Sequence, residues 1–295
     1  MKVVVLGSDG QLGADVVEAL RRHGETCFAA TRGDADVTDR AQVRFLLERE
    51  APDAVVNCTA FHDVSACEKY PDLAMEANAV AVRHIADVCS SLDARFMTVS
   101  TDYVFDGTRS EGYAEVDVPN PRTWYGRSKL AGEWLAAAYC SRSFVVRTQS
   151  LYGLRPPRGK SLNFVDAMLR LAAERSELKV DQCRMSPTWT LPLSENMVAL
   201  LRTKHYGLYH MSCNGATTWH AFAKRIMEVT GSPIPVIPVA NDYFPKPFAR
   251  PENTYLINSE LAKLHLDLMP PWGTALAAFL EAKGYRHRHT ERPSE

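Results

Sequence analysis

The chain has 295 residues, 46% of them hydrophobic, which is long enough for one large domain or two. Its 34 Lys and Arg residues balance 35 Asp and Glu residues, and the net charge of −1 predicts no strong attraction to nucleic acid or to an anionic membrane. No apolar run is long enough to span a membrane and no signal peptide precedes the first predicted strand, so we expect a cytoplasmic protein.

A buried strand and a glycine-rich turn open the chain. The apolar run VVVL within residues 2–6 predicts the strand, and an amphipathic helix is predicted from about Ala14 to His23. Between them GSDGQLG spaces its glycines three apart, a pattern that can simply end a strand. Before a helix in an α/β chain it instead predicts a turn that binds a dinucleotide pyrophosphate at the helix N-terminus. The cofactor-binding residues predicted here are Gly7, Asp9, Gly10, Gln11, Leu12 and Gly13.

Strand and helix signals alternate through the rest of the first half. Strands are predicted at 26–31, 53–58, 95–100 and 143–147, and helices at 74–89 and 125–138. Such alternation predicts an α/β fold of the Rossmann type, with a doubly wound parallel sheet covered by helices on both faces. Ligands of such folds bind at the carboxyl ends of the strands, so we expect distant motifs to converge at that edge.

The second half is rich in prolines, which cluster at 156–157, 233–238, 245–251 and 270–271. This composition is typical of a smaller, loop-rich lobe that binds substrate. Helices are predicted at 162–174 and 218–230, and a strand at 207–211 is predicted to return to the main sheet. We therefore expect a dinucleotide-binding domain at 1–150 with 188–228 returning to it, a C-terminal substrate-binding lobe at 151–187 and 229–287, and a flexible tail at 288–295.

Tyr125 and Lys129 form a YxxxK pair on a predicted helix, where residues four apart are neighbours. An ordinary tyrosine has a pKa of about 10 and is a slow acid or base at neutral pH. A nearby ammonium is expected to lower this pKa and to make the phenol useful for proton transfer. The pair alone is common on surface helices, but beside a glycine-rich turn it indicates catalysis.

The chain resembles the extended short-chain dehydrogenases/reductases and, within them, the dTDP-4-dehydrorhamnose reductase family. The segments that carry the resemblance are GSDGQLG (7–13), NCTAF (57–61), STDYVFDG (100–107), YGRSKLAGE (125–133) and ARPENTYL (249–256). The resemblance spans about residues 1 to 280. It implies that the 4-keto group of a deoxysugar linked to a nucleotide diphosphate is reduced by a nicotinamide cofactor.

The resemblance also implies roles for individual residues. Thr101, Tyr125 and Lys129 are the implied catalytic residues: Tyr125 gives its proton to the carbonyl oxygen, Lys129 tunes the phenol and bonds the nicotinamide ribose, and Thr101 holds the carbonyl. Hydride addition needs such a positioned donor because negative charge develops on oxygen. The implied substrate-binding residues are His62, Asp102, Tyr103, Ser150, Asn163, Gln182 and Arg250, with Arg250 assigned to the pyrophosphate.

Further cofactor contacts are implied after the second and third strands. They are Arg32, Asp36 and Val37 near the adenosine, and Cys58, Thr59 and Ala60, besides Tyr125 and Lys129. An arginine at the end of the second strand suits a 2′-phosphate, so we expect NADPH, with NADH possible.

Several positions depart from the family pattern. Ser150 stands where the family often has tryptophan, and Phe61-His62 replaces the usual Tyr-Thr. These changes predict a reductase whose sugar differs from dTDP-4-dehydrorhamnose. Asp102 is followed by Tyr103, so the Asp-Glu pair of the related dehydratases is missing.

Two alternatives to a reductase stay open. One is a non-catalytic NADP-binding regulatory subunit, and the other is a nucleotide-sugar epimerase, which would need a Cys/His pair. Cys140, Cys183 and His210 are available, but the sequence does not place them together. The seven cysteines show no CxxC spacing, so we expect reduced thiols and no metal site. Both a monomer and a homodimer are compatible with the sequence.

Overall fold

The computed structural model describes residues 1–156, 162–245, 247–248 and 250–285. The flexible tail predicted at 288–295 therefore lies outside the described residues, as does Pro157 of the first proline cluster. The strands are β1 (Lys2–Leu6), β2 (Thr26–Ala30), β3 (Ala54–Asn57), β4 (Arg95–Thr101), β5 (Ser143–Thr148), β6 (Leu151–Tyr152), β7 (Leu178–Asp181), β8 (Arg184–Met185), β9 (Thr188–Trp189), β10 (Gly207–His210), β11 (Thr217–Thr218) and β12 (Val236–Val239). The α-helices are α1 (Gln11–Arg22), α2 (Arg40–Glu50), α3 (Val64–Lys69), α4 (Pro71–Met75), α5 (Ala81–Ser91), α6 (Trp124–Tyr139), α7 (Phe164–Glu174), α8 (Thr190–Leu201), α9 (Trp219–Thr230), α10 (Ser259–Lys263) and α11 (Trp272–Ala282). A π-helix covers Glu76–Val80, and a short 3₁₀ turn covers Asp102–Val104.

Six parallel strands form the central sheet, in the order β10-β5-β4-β3-β1-β2. The order changes direction between β1 and β3, which opens a crevice at the carboxyl ends of these strands. This arrangement confirms the predicted Rossmann-type α/β fold. The strand predicted at 207–211 returns to the sheet as β10, which pairs with β5 at one edge.

Helices cover both faces of the sheet because successive strand residues point to opposite sides. In β1, Val3 and Val5 join the largest hydrophobic cluster, whereas Val4 and Leu6 join a second cluster on the other face. All four side chains are almost completely buried, which accounts for the unbroken apolar run in the sequence.

The second half packs on the same core as the sheet. The largest hydrophobic cluster contains Val146 of β5 together with Val165 of α7, Phe222 of α9 and Phe279 of α11. Helix α9 packs against α7, α11 and the parallel pair of β7 with β12. Because one cluster runs through both halves, the lobe boundaries at 150, 188 and 228 stay predictions.

Some elements differ from the sequence-based expectation. Helix α1 begins at Gln11 rather than Ala14, because Gly13 has no Cβ that would overlap the Gly7 carbonyl. The helix predicted at 74–89 is interrupted by the π-helix between α4 and α5. Helix α8 was not predicted, and eight of its 12 residues are buried, so it lacks the polar face that produces a periodic signal.

No helix in the described part of the chain is both long and apolar enough to cross a membrane.

Candidate active site

The start of helix α6 is fixed from three sides. Thr123 caps it by accepting a hydrogen bond from the Gly126 N–H at 3.0 Å. The N–H of the first helical residue donates to Glu68 Oε1 at 2.6 Å. Gly126 allows close packing, since a Cβ atom there would overlap the Tyr103 carbonyl oxygen of the turn after β4. These contacts place Tyr125, in the first turn of α6, beside the end of β4.

The structure brings Tyr125 together with Thr101 and Tyr103. Thr101 is the last residue of β4, and its buried hydroxyl lies close enough to the Tyr125 phenol to lower the pKa of that phenol. The Tyr103 ring meets the Tyr125 ring edge-on, with centroids 5.8 Å apart. Lys129 follows one turn later on α6, and only 4% of its surface is exposed.

Burial shifts the pKa of both helix residues. It raises the pKa of Tyr125 above its ordinary value, and the hydrogen bond with Thr101 only partly offsets this. The expectation that Lys129 lowers the pKa of Tyr125 is therefore wrong, because desolvation of the phenolate dominates. Burial also lowers the pKa of Lys129 to about 8, against the opposing effect of Glu133. At neutral pH the site thus holds a protonated phenol and a mostly charged amine.

A buried ion pair that the sequence analysis missed lies behind Lys129. Arg147 donates from Nε and Nη2 to the two carboxylate oxygens of Glu133, at 2.9 and 2.7 Å. Ser100 donates a further hydrogen bond to Glu133, and the Arg147 guanidinium lies 5.1 Å from the centre of the Phe105 ring. Both charged side chains are at most 5% exposed. The sequence offered a signal for this ion pair, because Glu133 ends the segment YGRSKLAGE and Arg147 is a charged residue within an otherwise apolar predicted strand.

The glycine-rich turn forms a cradle at the N-terminus of α1. Gly10 is the N-cap and provides no side-chain cap, so the first helical amides face the crevice without competition from a capping side chain. The missing Cβ at Gly13 lets the helix approach the turn, which fits a bound pyrophosphate. Gln11 is buried, and its Nε2 donates to the Arg155 carbonyl at 2.8 Å. Leu12 packs into the core and Asp9 is exposed.

The segment after β3 connects this turn to α6. A Cβ atom at Gly7 would touch the Thr59 side chain, and Thr59 donates to Asn57 Oδ1 at 2.6 Å. Cys58 is close enough to Lys129 for the two to interact electrostatically, while burial raises the pKa of the Cys58 thiol to about 12. Ala60 is exposed. The segment after β3 therefore packs directly against the glycine-rich turn.

At the end of β2, Arg32 is paired within its own loop. Its Nε and Nη2 donate to Asp36 Oδ2 at 3.0 and 2.6 Å, and its side chain is 73% exposed. Val37 is half-buried against the second hydrophobic cluster. An exposed guanidinium held by one carboxylate can exchange that partner for a phosphate.

The opposite wall of the site is built from the C-terminal half. Arg250 forms an ion pair with Asp181 at the end of β7, and its guanidinium lies 5.8 Å from the centre of the Trp219 ring. Burial raises the pKa of Tyr103 to about 12, and the charge of the nearby Arg250 opposes this shift. The structure thus places the predicted pyrophosphate ligand near Tyr103, whose ring meets that of Tyr125.

Asp102 lies deeper in the same wall and is only 5% exposed. Its Oδ1 accepts a hydrogen bond from Thr101 Oγ1 at 2.9 Å. Burial raises the pKa of Asp102 to about 6, and the hydrogen bonds from Thr254 and Thr101 oppose this shift.

The other predicted substrate residues are more dispersed. Ser150 is half-buried after β5 with a left-handed φ of 48°, a conformation that is uncommon outside glycine. Asn163 is buried and caps α7 by accepting from the Asp166 N–H at 3.0 Å. Gln182 and His62 are exposed, on the loops after β7 and β3. Their contacts with a substrate stay predictions.

The residues considered for an epimerase occupy separate environments. His210 is buried between Arg147 and the Tyr113 carbonyl, and burial together with Arg147 lowers its pKa to about 3. Cys183 instead interacts with Asp181 and Arg250, and Cys140 ends α6 on the far side. All seven cysteines are free thiols. Within the described ranges, no group of three or more His, Cys, Asp or Glu side chains could hold a metal ion.

Comparison with known proteins identifies the relatives of this chain. The RmlD substrate binding domain family matches residues 1–284. A dTDP-4-dehydrorhamnose reductase of Streptomyces griseus is 36% identical over 281 residues, which cover 92% of this chain and 91% of the relative. A dTDP-4-keto-6-deoxy-D-glucose reductase of Streptomyces niveus is also 36% identical, over 92% of this chain and 94% of its own length.

A solved structure extends the likeness to three dimensions. The crystal structure of a dTDP-4-dehydrorhamnose reductase from Bacillus anthracis in complex with NADP superimposes with a TM-score of 0.90. The two chains are 34% identical, and the match covers 95% of this chain and 99% of the other.

We predict that Glu133→Gln lowers the pKa of Lys129 below its value of about 8, because Glu133 supplies the charge that favours the ammonium. The change also leaves Arg147 buried without its counter-ion, which costs roughly 3–5 kcal/mol of the free energy of unfolding. NMR titration of labelled lysine, with Lys129→Met to assign the signal, measures the first effect, and urea unfolding measures the second. Glu281→Gln, on an exposed position of α11, is the control. An unchanged titration of Lys129 in Glu133→Gln would contradict the prediction.

Proposed function

Because the chain belongs to the RmlD substrate binding domain family, we propose that it is an NADPH-dependent reductase of the 4-keto group of a nucleotide-linked deoxysugar. One observation carries the proposal. A protonated phenol, a strand-end hydroxyl and a buried amine meet at the same sheet edge as a glycine-rich turn that fits a pyrophosphate. This combination provides a proton donor next to a place for a dinucleotide, as carbonyl reduction requires.

The residues present fit the cofactor. The uncapped N-terminus of α1 would hold its pyrophosphate, Arg32 its 2′-phosphate, Asp36 and Val37 its adenosine, and Lys129 its nicotinamide ribose. When bound, the reduced nicotinamide supplies a hydride. Support for NADPH comes from the relative whose structure is described in complex with NADP.

The chain's own groups manage the proton and the developing charge. Tyr125 holds its proton at neutral pH because burial disfavours the phenolate, and it donates that proton to the carbonyl oxygen as negative charge develops there. Thr101 positions this oxygen from the end of β4. Lys129, mostly charged at pH 7, stabilises the phenolate that is left behind.

For the substrate we propose a dTDP-linked 4-keto-6-deoxysugar, since two relatives that match this chain over most of its length are named for such sugars. Arg250 contacts the diphosphate, and Ser150, with its small side chain at a position after β5, contributes to the choice of sugar. The alternatives receive less support. His210 and Cys183 are not paired as an epimerase needs, and the intact Thr101–Tyr125–Lys129 set favours turnover over a purely regulatory role.

We predict that the purified protein oxidises NADPH when a panel of dTDP-4-ketosugars is offered, and that Tyr125→Phe lowers kcat by about 10²–10⁴-fold with little change in KM. The loss follows from removal of the proton donor while the ring remains. Absorbance of the reduced nicotinamide measures both. Tyr139→Phe, at an exposed tyrosine of the same helix, is the matched control. Tight binding of the nucleotides without any NADPH consumption would instead favour the regulatory alternative.

A second prediction concerns the choice of cofactor. Arg32→Ala should raise KM for NADPH by roughly 10–100-fold and leave KM for NADH unchanged, because a charge-assisted hydrogen bond to the 2′-phosphate is lost. Steady-state kinetics with both cofactors provide the measurement. Arg40→Ala removes another exposed arginine paired with an aspartate and should affect neither value. Equal use of NADH and NADPH by both the native protein and Arg32→Ala would remove this role.

The third prediction concerns the substrate diphosphate. Arg250→Ala should raise the substrate KM by roughly 10–100-fold with a smaller effect on kcat, because the diphosphate binds equally in ground and transition states. Arg225→Ala, at an exposed arginine paired with Glu228 on α9, is the control. If KM stays unchanged in Arg250→Ala, the pair with Asp181 is purely structural.

A further inference from the structure

Within the part of the chain that the structure describes, two buried polar groups at the carboxyl end of β5 have no hydrogen-bond partner. They are the hydroxyl of Thr148 and the amide nitrogen of Gln149, in residues that are 4% and 2% exposed. Only two other buried side-chain atoms of the described residues are unpaired, on His84 of α5 and on Tyr152 in the core beside Phe222. Buried polar groups are almost always paired in native proteins, so two adjacent exceptions at a ligand-binding sheet edge indicate a missing partner.

The side chain of Thr148 stands next to that of Thr101. Thr101 ends β4, Thr148 ends β5, and the two residues are partners in the parallel register of these strands. Partners in register point to the same face of a sheet, on strands about 4.8 Å apart. The Thr148 hydroxyl, which no described residue pairs, therefore flanks the hydroxyl that holds the carbonyl in the proposed reaction.

The amide of Gln149 has a defined orientation. Its Oε1 accepts from the Ser186 N–H at 3.1 Å and from Thr254 Oγ1 at 3.4 Å. A backbone N–H can only donate, so the atom next to Ser186 is the oxygen, and the nitrogen is the atom that the described residues leave unpaired. Thr254 lies four residues after Arg250. The amide is thus held between the end of β5 and the wall that carries the proposed diphosphate ligand.

The two groups supply what a sugar hydroxyl requires. An amide nitrogen donates two hydrogens and accepts none, whereas a threonine hydroxyl both donates and accepts. A sugar hydroxyl likewise has one hydrogen to give and lone pairs with which to accept. A bare CH₂ group in its place would leave buried protein groups unpaired, and this penalty exceeds the net gain from an ordinary hydrogen bond.

We propose that Thr148 and Gln149 are specificity-determining residues that bind hydroxyl groups of the ketosugar, so that the enzyme selects 4-ketosugars with ring hydroxyls over their deoxygenated analogues. The inference deepens the proposed function and rests on it. The sugar is a better partner than the nicotinamide, because the Gln149 amide is held by Ser186 and Thr254 of the C-terminal half.

The first experiment measures stability without any ligand. Thr148→Val keeps the shape of the side chain and removes a hydroxyl that makes no hydrogen bond to the described residues, so the urea midpoint of unfolding should stay unchanged or rise. Thr188→Val is the matched control. The buried hydroxyl of Thr188 donates to the Ser186 carbonyl at 3.1 Å and accepts from the Cys213 N–H at 3.2 Å, so its removal should lower the midpoint. If Thr148→Val lowers the midpoint as much as Thr188→Val does, the Thr148 hydroxyl serves the fold and the inference is overturned.

The second experiment measures recognition by calorimetry, with NADP⁺ present so that no reduction occurs. The sugars compared are dTDP-4-keto-6-deoxyglucose and analogues of it that lack the 2- or the 3-hydroxyl. The native protein should bind the hydroxylated sugar roughly 10–100-fold more tightly than at least one analogue. Thr148→Val and Gln149→Met should each bring this ratio close to one. A purely structural role would weaken the binding of all three sugars equally and keep the ratio.

The outcomes separate the inference from the proposed function. Equal binding of the three sugars by the native protein, or a ratio that survives in either variant, overturns the inference, and NADPH consumption by the same protein would leave the proposed function intact. A rise in Kd for NADPH with no change in the sugar ratio assigns the two groups to the cofactor and also overturns the inference. Discrimination among the sugars that both variants lose, without NADPH consumption with any of them, supports the inference and overturns the assignment as a reductase.

Discussion

The ion pair between Glu133 and Arg147 is the interaction on which the geometry of the site depends. It joins α6 to β5, and through Ser100 it also joins α6 to β4, so the helix that carries Tyr125 and Lys129 is held against the strand that carries Thr101. Burying two charges is costly, and such a pair is tolerated only when its hydrogen bonds are well satisfied. Here both carboxylate oxygens are occupied, and the guanidinium lies over an aromatic ring.

Close approach of backbones provides the second constraint. Gly126 lets the first turn of α6 pack against the turn that follows β4, and Gly13 lets α1 pack against the glycine-rich turn. In both places a larger residue would overlap a carbonyl oxygen, so a helix would move away from the strand end that it serves. Tyr125 and the first amides of α1 are thus placed by the absence of side chains as much as by their presence.

Low exposure gives the site its chemistry. The same burial raises the pKa of Tyr125 and of Asp102 and lowers that of Lys129, because each charged form loses its hydration. A phenol that keeps its proton suits an acid, and an amine that titrates near 8 is still mostly charged at neutral pH. Thr101 donates a hydrogen bond to Asp102 at 2.9 Å, which favours the carboxylate and opposes the effect of burial.

Local pattern was sufficient to predict the parallel sheet, the glycine-rich turn and the YxxxK helix, because apolar runs, glycine spacing and helical spacing are all short-range signals. The same pattern missed α8, most of whose residues are buried, and could not pair Arg250 with Asp181, 69 positions earlier in the chain. It also gave the wrong direction for the pKa of Tyr125, since desolvation depends on what the fold packs around the ring. The sequence by itself determined the fold class and indicated the groups that we propose to react. Only the tertiary structure decided their charge states and partners, because burial and long-range contacts exist only after the chain has folded.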